Sequence, residues 1–269
     1  EKNCSLTWIF ILPLLFFSCS DVKKQSGQPD LEYEVSMEDP GNGSFHVVLE
    51  CRIPESDTVL FLMPEWMPGY YQIMDYSDKV TNFKAAGRSG RSLDAVMKDD
   101  HSWMVVPGRD RKFTVSYDVH SDRRFVACNY IDTAHAYIIP AATFMYPAGY
   151  INAPVRIRVK PYNGWDDIAT GLEPVEGAKN EFTAPGFDIL YDCPILTGDL
   201  DELSPFTVNG ITHRFITWNA GEFDGELLMS NLKRIVEASA GLMEEIPYNE
   251  YTFIGIGPGQ GGIEHLNNT

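Results

Sequence analysis

The sequence predicts a mainly β fold: an antiparallel β-sheet or sandwich over residues 31–219, followed by the start of an α+β unit over 220–269. Three observations carry this. Through the first stretch, short segments alternate apolar and polar residues, the period of half-buried strands. Glycine and proline turns separate those segments, with almost no helical pattern between them. After Asn219 the apolar spacing becomes helical, and a strand and a glycine-rich turn follow.

The elements can be justified in order. From Leu31 to Glu38 every second residue is apolar: Leu31, Tyr33, Val35 and Met37. The turn Asp39-Pro40-Gly41-Asn42-Gly43 follows, and the apolar run Phe45 to Cys51 completes a predicted hairpin. Further strands are expected at Val59 to Met63, Ser102 to Val106, Lys112 to His120, Val155 to Lys160 and His213 to Trp218. Asp224 is placed to cap a helix in which Leu228, Leu232, Ile235 and Leu242 recur at helical spacing, with Pro247 beyond its end. Tyr251 to Ile256 reads as a strand. A unit this short makes only a marginal core by itself.

Composition bounds the function. The chain has 269 residues, 44% of them hydrophobic, enough for one large domain or two smaller ones. Lys and Arg number 21 against 38 Asp and Glu, a formal net charge of -17 that repels phosphate backbones, so nucleic acid is set aside as a partner.

Residues 1–18 combine a basic start, the short apolar stretch Leu6 to Phe17 and the small Ser18, the layout of an export signal peptide. The stretch is shorter than the ~20 residues of a membrane-spanning helix. Ser18-Cys19 resembles a lipoprotein cleavage box, although Phe16 and Phe17 stand where Leu and a small residue are usual. Cys19 is therefore expected to be lipidated, with residues 19–30 a polar tether and the membrane a partner through the lipid. That places the protein in a bacterial cell envelope, periplasmic or surface-exposed. Cys51, Cys128 and Cys193 remain, an odd number with no zinc-ligand spacing, so at most one disulfide can join them and at least one is expected to be a buried thiol.

The most unusual segment runs from Gly255 to His265. Gly257, Gly259 and Gly262 formally make G-x-G-x-x-G, but Pro258 removes a backbone donor and Glu264 would sit near any phosphate. A dinucleotide site and a P-loop are both disfavoured. Glu264 and His265 invite a different reading, because glycine lets main chains approach closely and an acid beside them can meet a ligand. A tight turn with solvated polar residues is the plainer account.

Three segments carry a family resemblance. Met63-Pro64-Glu65-Trp66-Met67-Pro68-Gly69-Tyr70-Tyr71-Gln72-Ile73-Met74-Asp75 resembles the proline, tryptophan and glycine motif in the amino-terminal domain of the glycyl aminopeptidases. Asp192-Cys193-Pro194-Ile195-Leu196-Thr197-Gly198 resembles the segment that closes that domain. Gly261-Gly262-Ile263-Glu264-His265-Leu266-Asn267-Asn268-Thr269 resembles the family's Gly-Gly-Leu-Glu-His-x-Asn-Ser-Thr signature. These are zinc metallopeptidases, family sixty-one of that class, often with a PDZ domain near the C-terminus.

The resemblance implies a β-sheet amino-terminal domain, then a thermolysin-like catalytic domain beginning near 220. It implies a zinc ion bound by a His-Glu-x-x-His helix and a further Glu. None of the six histidines opens such a motif, so the chain is expected to stop before its zinc ligands and to be inactive alone. The implied substrate is a peptide with a free N-terminus, its ammonium held by Glu264 and its backbone running along Gly261 and Gly262, with His265 carried over as a substrate-site residue. A preference for N-terminal glycine or alanine comes with the family. Two readings compete: an envelope lipoprotein whose β-domain binds a protein or glycan through Trp66, Tyr70, Tyr71 and Tyr76, and a truncated product without function. Core packing is the blander account of those four aromatics.

Overall fold

The structure is a computed structural model that describes residues 29–265 except 55, 122 and 260. The expected signal peptide, Cys19 and nearly all of the tether lie outside the described residues. The first strand starts at Asp30.

A seven-stranded sheet forms the backbone of the fold. In spatial order its strands are Glu173–Pro174, Glu181–Ala184, Val155–Lys160, Asp30–Ser36, Ser44–Arg52, Lys112–His120 and Val80–Gly87. The predicted hairpin is present, with Tyr33 opposite Leu49 and Val35 opposite Val47. Pairing is antiparallel with one departure from expectation: Asp30–Ser36 and Val155–Lys160 run parallel. Parallel neighbours need a long crossover. Here the chain passes through Val80–Gly87 and Lys112–His120 of the same sheet and through strands of smaller sheets before Val155–Lys160 returns beside the first strand in the same direction.

Alternation decides which face is which. Leu31, Tyr33 and Val35, then Phe45, Val47 and Leu49, then Phe113, Val115 and Tyr117, and Val155, Ile157 and Val159, all turn inward and are buried. The outward positions pair across strands by charge. Glu34 meets Lys160 at 2.7 Å, Glu181 meets Arg158 at 2.6 Å and Arg156 at 3.1 Å, and Glu50 meets Lys112 at 2.6 Å. Such exposed pairs are screened by solvent and contribute little, so burial of the other face, not these bridges, drives the sheet.

Two four-stranded sheets accompany it. One orders Tyr146–Pro147, Val59–Leu62, Ser102–Val106 and Asp94–Asp99; the other orders Asp167–Thr170, Ile195–Gly198, His135–Ile138 and Tyr130–Ile131. Phe61, Phe113, Phe144 and Phe187 fill the core with Tyr33, whose ring meets Phe144 edge-on at 5.3 Å. Its buried hydroxyl donates to the Met145 carbonyl at 2.8 Å. The Tyr117 hydroxyl accepts from the Met145 N–H and donates to the Thr143 carbonyl, so neither phenol leaves a polar atom stranded. Asn129 Oδ1 accepts from the Ile139 N–H and the Thr143 hydroxyl, and its amide donates to Ala142. Cys51, Cys128 and Cys193 are all buried.

A fourth sheet has three strands, Asp201–Val208, Ile211–Trp218 and Glu250–Ile256, so two strands that precede the texture change at Asn219 pair with the one that follows it. Asn209 and Gly210, both with positive φ, make the two-residue turn that matches strand twist. The helix Gly225–Met243 then carries the chain over to Glu250–Ile256, which pairs parallel with Ile211–Trp218. The Asp224 carboxylate accepts from the Leu227 N–H at 2.9 Å, the predicted cap. The helix face is not the expected one. Met229 and Ala240 are buried, while Leu228 and Leu232 are half-buried, and Ile235 and Leu242 are exposed. Packing against the strand Asp201–Val208 covers only part of the apolar circumference.

Candidate functional site

The glycine-rich segment leaves the edge strand Glu250–Ile256 and opens no helix among the described residues, contrary to the needs of a dinucleotide fingerprint. Its early glycines allow close approach. A Cβ at Gly255 would lie 3.0 Å from the Phe215 ring, and one at Gly257 would overlap the Asn219 carbonyl and lie 2.9 Å from the Ala220 α-carbon. The Gly257 N–H donates to the Trp218 carbonyl at 3.0 Å, extending the ladder past the end of the strand.

The later glycines differ. Gly261, at φ 92°, needs the left-handed region, yet Cβ atoms at Gly261 and Gly262 would meet no described atom within 4 Å. These two residues are exposed, as is Glu264, and together they present main chain and one carboxylate on the surface.

Two parts of the β-region grip Ile263, Glu264 and His265. Gly69 has φ 83°, and a Cβ there would lie 2.6 Å from Ile263 Cγ1 and 2.8 Å from the Glu264 carbonyl oxygen. Only glycine gives both that backbone and that contact. Further along, His265 Nδ1 is 2.9 Å from Asp192 Oδ1, with both side chains buried. All three segments singled out in the sequence thus meet: 63–75 through Gly69, 192–198 through Asp192, and 261–265 in contact with both. Burial, with the Glu264 charge next in weight, pushes the Tyr251 phenol up to about 12, so it stays a neutral donor near the segment.

A second junction fixes the three-stranded sheet against the β-region. The buried His135 ring stacks on Trp218 at 3.7 Å, and Arg124 lies over both Tyr130 and Trp218. Burial lowers the His135 pKa, which keeps the stacked ring neutral. Asp132 organises the group: Oδ1 accepts from the Ala134 and His135 N–H groups, and Oδ2 from Tyr130 and Arg124. Burial alone would raise the Asp132 pKa, but these donors outweigh it and hold it at about 2. Because the folded value lies below the unfolded ~3.9, its stabilisation is complete above about pH 4 and lost as pH falls through about 2. Asp132→Asn should therefore lower Tm near neutral pH, with the gap to wild type closing between about pH 4 and pH 2 in calorimetric melts. A gap that stays constant across that window would show that the charge is not what matters.

Of the residues that the sequence singles out, Gly261, Gly262 and Glu264 are exposed together, whereas the His265 ring is buried against Asp192. The four aromatics divide: Tyr76 is buried, Tyr70 packs against Phe125, and Trp66 and Tyr71 stack on each other in the open. Sequence reasoning did not assign roles to Gly69 or Asp192, since each acts on a residue far along the chain. No three His, Cys, Asp or Glu side chains cluster to hold a metal among the described residues, so the residues present do not fit a zinc site.

The family model of the Peptidase M61 N-terminal domain matches residues 32–199. The chain belongs to that family. The M61 domain model includes two of the three converging segments, and Gly261 to His265 lie beyond it. A crystal structure described as an aminopeptidase N family protein from Idiomarina loihiensis superposes with a TM-score of 0.81 and 26% identity, over 88% of this chain and 41% of that one. An M1 zinc metallopeptidase from Deinococcus radiodurans aligns at 12% identity and TM-score 0.49, over 87% of this chain and 57% of that one. A mutant of that enzyme bound to a Tyr-Ser-Ala substrate aligns at 12% identity and TM-score 0.48, over 87% and 58%. Comparison with curated protein sequences gave no match. The M61 chain spans less than two thirds of the length of each of these structures.

Proposed function

We propose that this chain is the amino-terminal, substrate-anchoring part of a zinc-dependent aminopeptidase that removes small N-terminal residues, glycine or alanine, from peptides. One observation carries the reading. Glu264 stands exposed directly after the open Gly261-Gly262 backbone, in a segment gripped by Gly69 and Asp192 of the M61 domain. A fixed carboxylate at the end of an accessible strand-like backbone suits a peptide whose ammonium must be read and whose main chain is held. The protonated amine would pair with Glu264, and a blocked amine would forfeit that charge-assisted bond. The preference for small residues follows the family resemblance, as does a PDZ module further along the full-length protein. The metal-activated water that zinc supplies to hydrolysis would come from the remainder of that protein.

The test compares the full-length protein with residues 29–269 on glycyl, alanyl and leucyl chromogenic amides and on their acetylated forms, with metal analysis of both. The reading expects the full-length protein to bind zinc and cleave only the free amines, glycyl and alanyl best. Cleavage of acetylated and free substrates at equal rates would sink it.

Envelope anchoring through Cys19 belongs to the same proposal, motivated by the short apolar stretch ending at Ser18-Cys19. More than one acyl chain is needed for stable attachment. A clickable fatty acid fed to cells should label the wild type in the membrane fraction and not Cys19→Ala. Equal labelling of the two proteins would remove the lipid anchor from the account.

A further inference from the structure

We infer that Asp192 is a positioning residue for the amino anchor: acting through His265, it sets where the Glu264 carboxylate stands. The inference rests on the aminopeptidase reading above and adds a residue with no assigned role.

Asp192 is itself immobilised. It follows the short helix Phe187–Leu190, its N–H donates to the Ile189 carbonyl at 3.3 Å, and the next N–H, of Cys193, donates to Leu190 at 3.1 Å. Phe187 of that turn is fully buried, with its ring 4.6 Å from Tyr146 and 6.3 Å from Tyr33. The carboxylate is therefore rooted in the core of the β-region. It reaches across 73 residues of sequence to His265, which directly follows Glu264. The side chains of Asp192 and His265 are only 5% and 2% exposed, so the bond is shielded from water.

The geometry also predicts what happens when it is cut. His265 Nε2 is buried without a hydrogen-bond partner among the described residues. Nδ1 on Asp192 is thus the one satisfied nitrogen of that ring. Removing the carboxylate leaves both nitrogens stranded, which favours turning the imidazole out toward water. Where the main chain at His265 shifts to let the ring out, Glu264 shifts with it, because consecutive α-carbons are held about 3.8 Å apart. A small displacement of a substrate-holding group is enough to cost one or two decades.

The experiment uses the full-length, zinc-loaded protein with Asp192→Ala, Asp192→Asn and Glu264→Ala, assayed on an alanyl chromogenic amide and on its acetylated form. Asp192→Ala should raise KM roughly ten- to a hundredfold, with kcat per bound zinc close to wild type. Asp192→Asn keeps an oxygen that can accept from the imidazole N–H and should recover most of the KM. A purely structural role would instead lower kcat in proportion to the folded fraction and leave KM alone, and that result overturns the inference. So does Asp192→Asn behaving like Asp192→Ala. If Glu264→Ala also keeps its free-amine preference, the anchor reading itself fails; if Glu264→Ala loses it while Asp192→Ala keeps the wild-type KM, only the positioning role fails.

Discussion

If the proposed function holds, Glu264→Ala in the full-length protein is expected to lower kcat/KM on alanyl substrates by roughly one to three decades while zinc content stays at the wild-type level. The magnitude comes from the interaction removed. A charge-assisted bond to a desolvated ammonium is worth roughly 2–4 kcal/mol, and each ~1.4 kcal/mol is tenfold in rate. Metal content should not move, because Glu264 is exposed on the glycine-rich segment and no cluster of metal-ligating side chains includes it among the described residues. The informative quantity is the ratio of rates on free and acetylated amines. It should collapse toward one in the mutant, since the wild type alone reads the ammonium. A mutant that keeps the ratio and the rate returns Glu264 to the status of a solvated turn residue.

Gly69→Ala carries the second large effect. At φ 83° an alanine costs roughly 1–2 kcal/mol for a left-handed backbone. Its methyl would also press on the Ile263 side chain at 2.6 Å and the Glu264 carbonyl at 2.8 Å, a crowding worth roughly 1–3 kcal/mol more. Gly108 separates the two effects: its φ is 63°, but a Cβ there meets no described atom within 4 Å. Gly108→Ala should therefore show the backbone cost alone. Urea unfolding of residues 29–269 should place Gly69→Ala about 2–5 kcal/mol below wild type, and Gly108→Ala about 1–2 kcal/mol below. Hydrogen exchange at the amides of 263–265 should accelerate in the first variant and not in the second. Equal losses in both would mean that Gly69 is needed for its turn and not for its contact with the segment.

How much of this was legible in the sequence depended on whether the signal was local. Strands buried on one face, such as Asp30–Ser36, Ser44–Arg52 and Val155–Lys160, show strict alternation and were readable. His135–Ile138 and Ile195–Gly198 are buried at every position, so alternation vanishes and a short apolar run identifies nothing by itself. Val80–Gly87 was hidden for another reason: its register shifts between Thr81 and Lys84, which breaks the period. The parallel pairing of the first strand depends on where the chain goes for the next hundred or so residues, information no window contains.

The helix cap at Asp224 was local and readable, but its buried face was not. Helical spacing marks an apolar side without saying which neighbour covers it. The site divides in the same way. The glycines and Glu264 stand out within eleven residues, whereas Gly69 and Asp192 matter through contacts with residues nearly two hundred and 73 positions away. Cys19 lies outside the described residues, and its lipidation rests on the sequence layout alone.

A crystal structure of the full-length protein with an alanine-terminated peptide analogue tests most directly whether the M61 domain and the glycine-rich segment together hold a carboxylate that reads a peptide's free amine. The ammonium nitrogen is expected within about 2.7–3.1 Å of a Glu264 carboxylate oxygen, with the peptide backbone alongside Gly261 and Gly262 and the Asp192–His265 bond intact. An ammonium bound to a different acid, with Glu264 facing solvent, would contradict the proposed function.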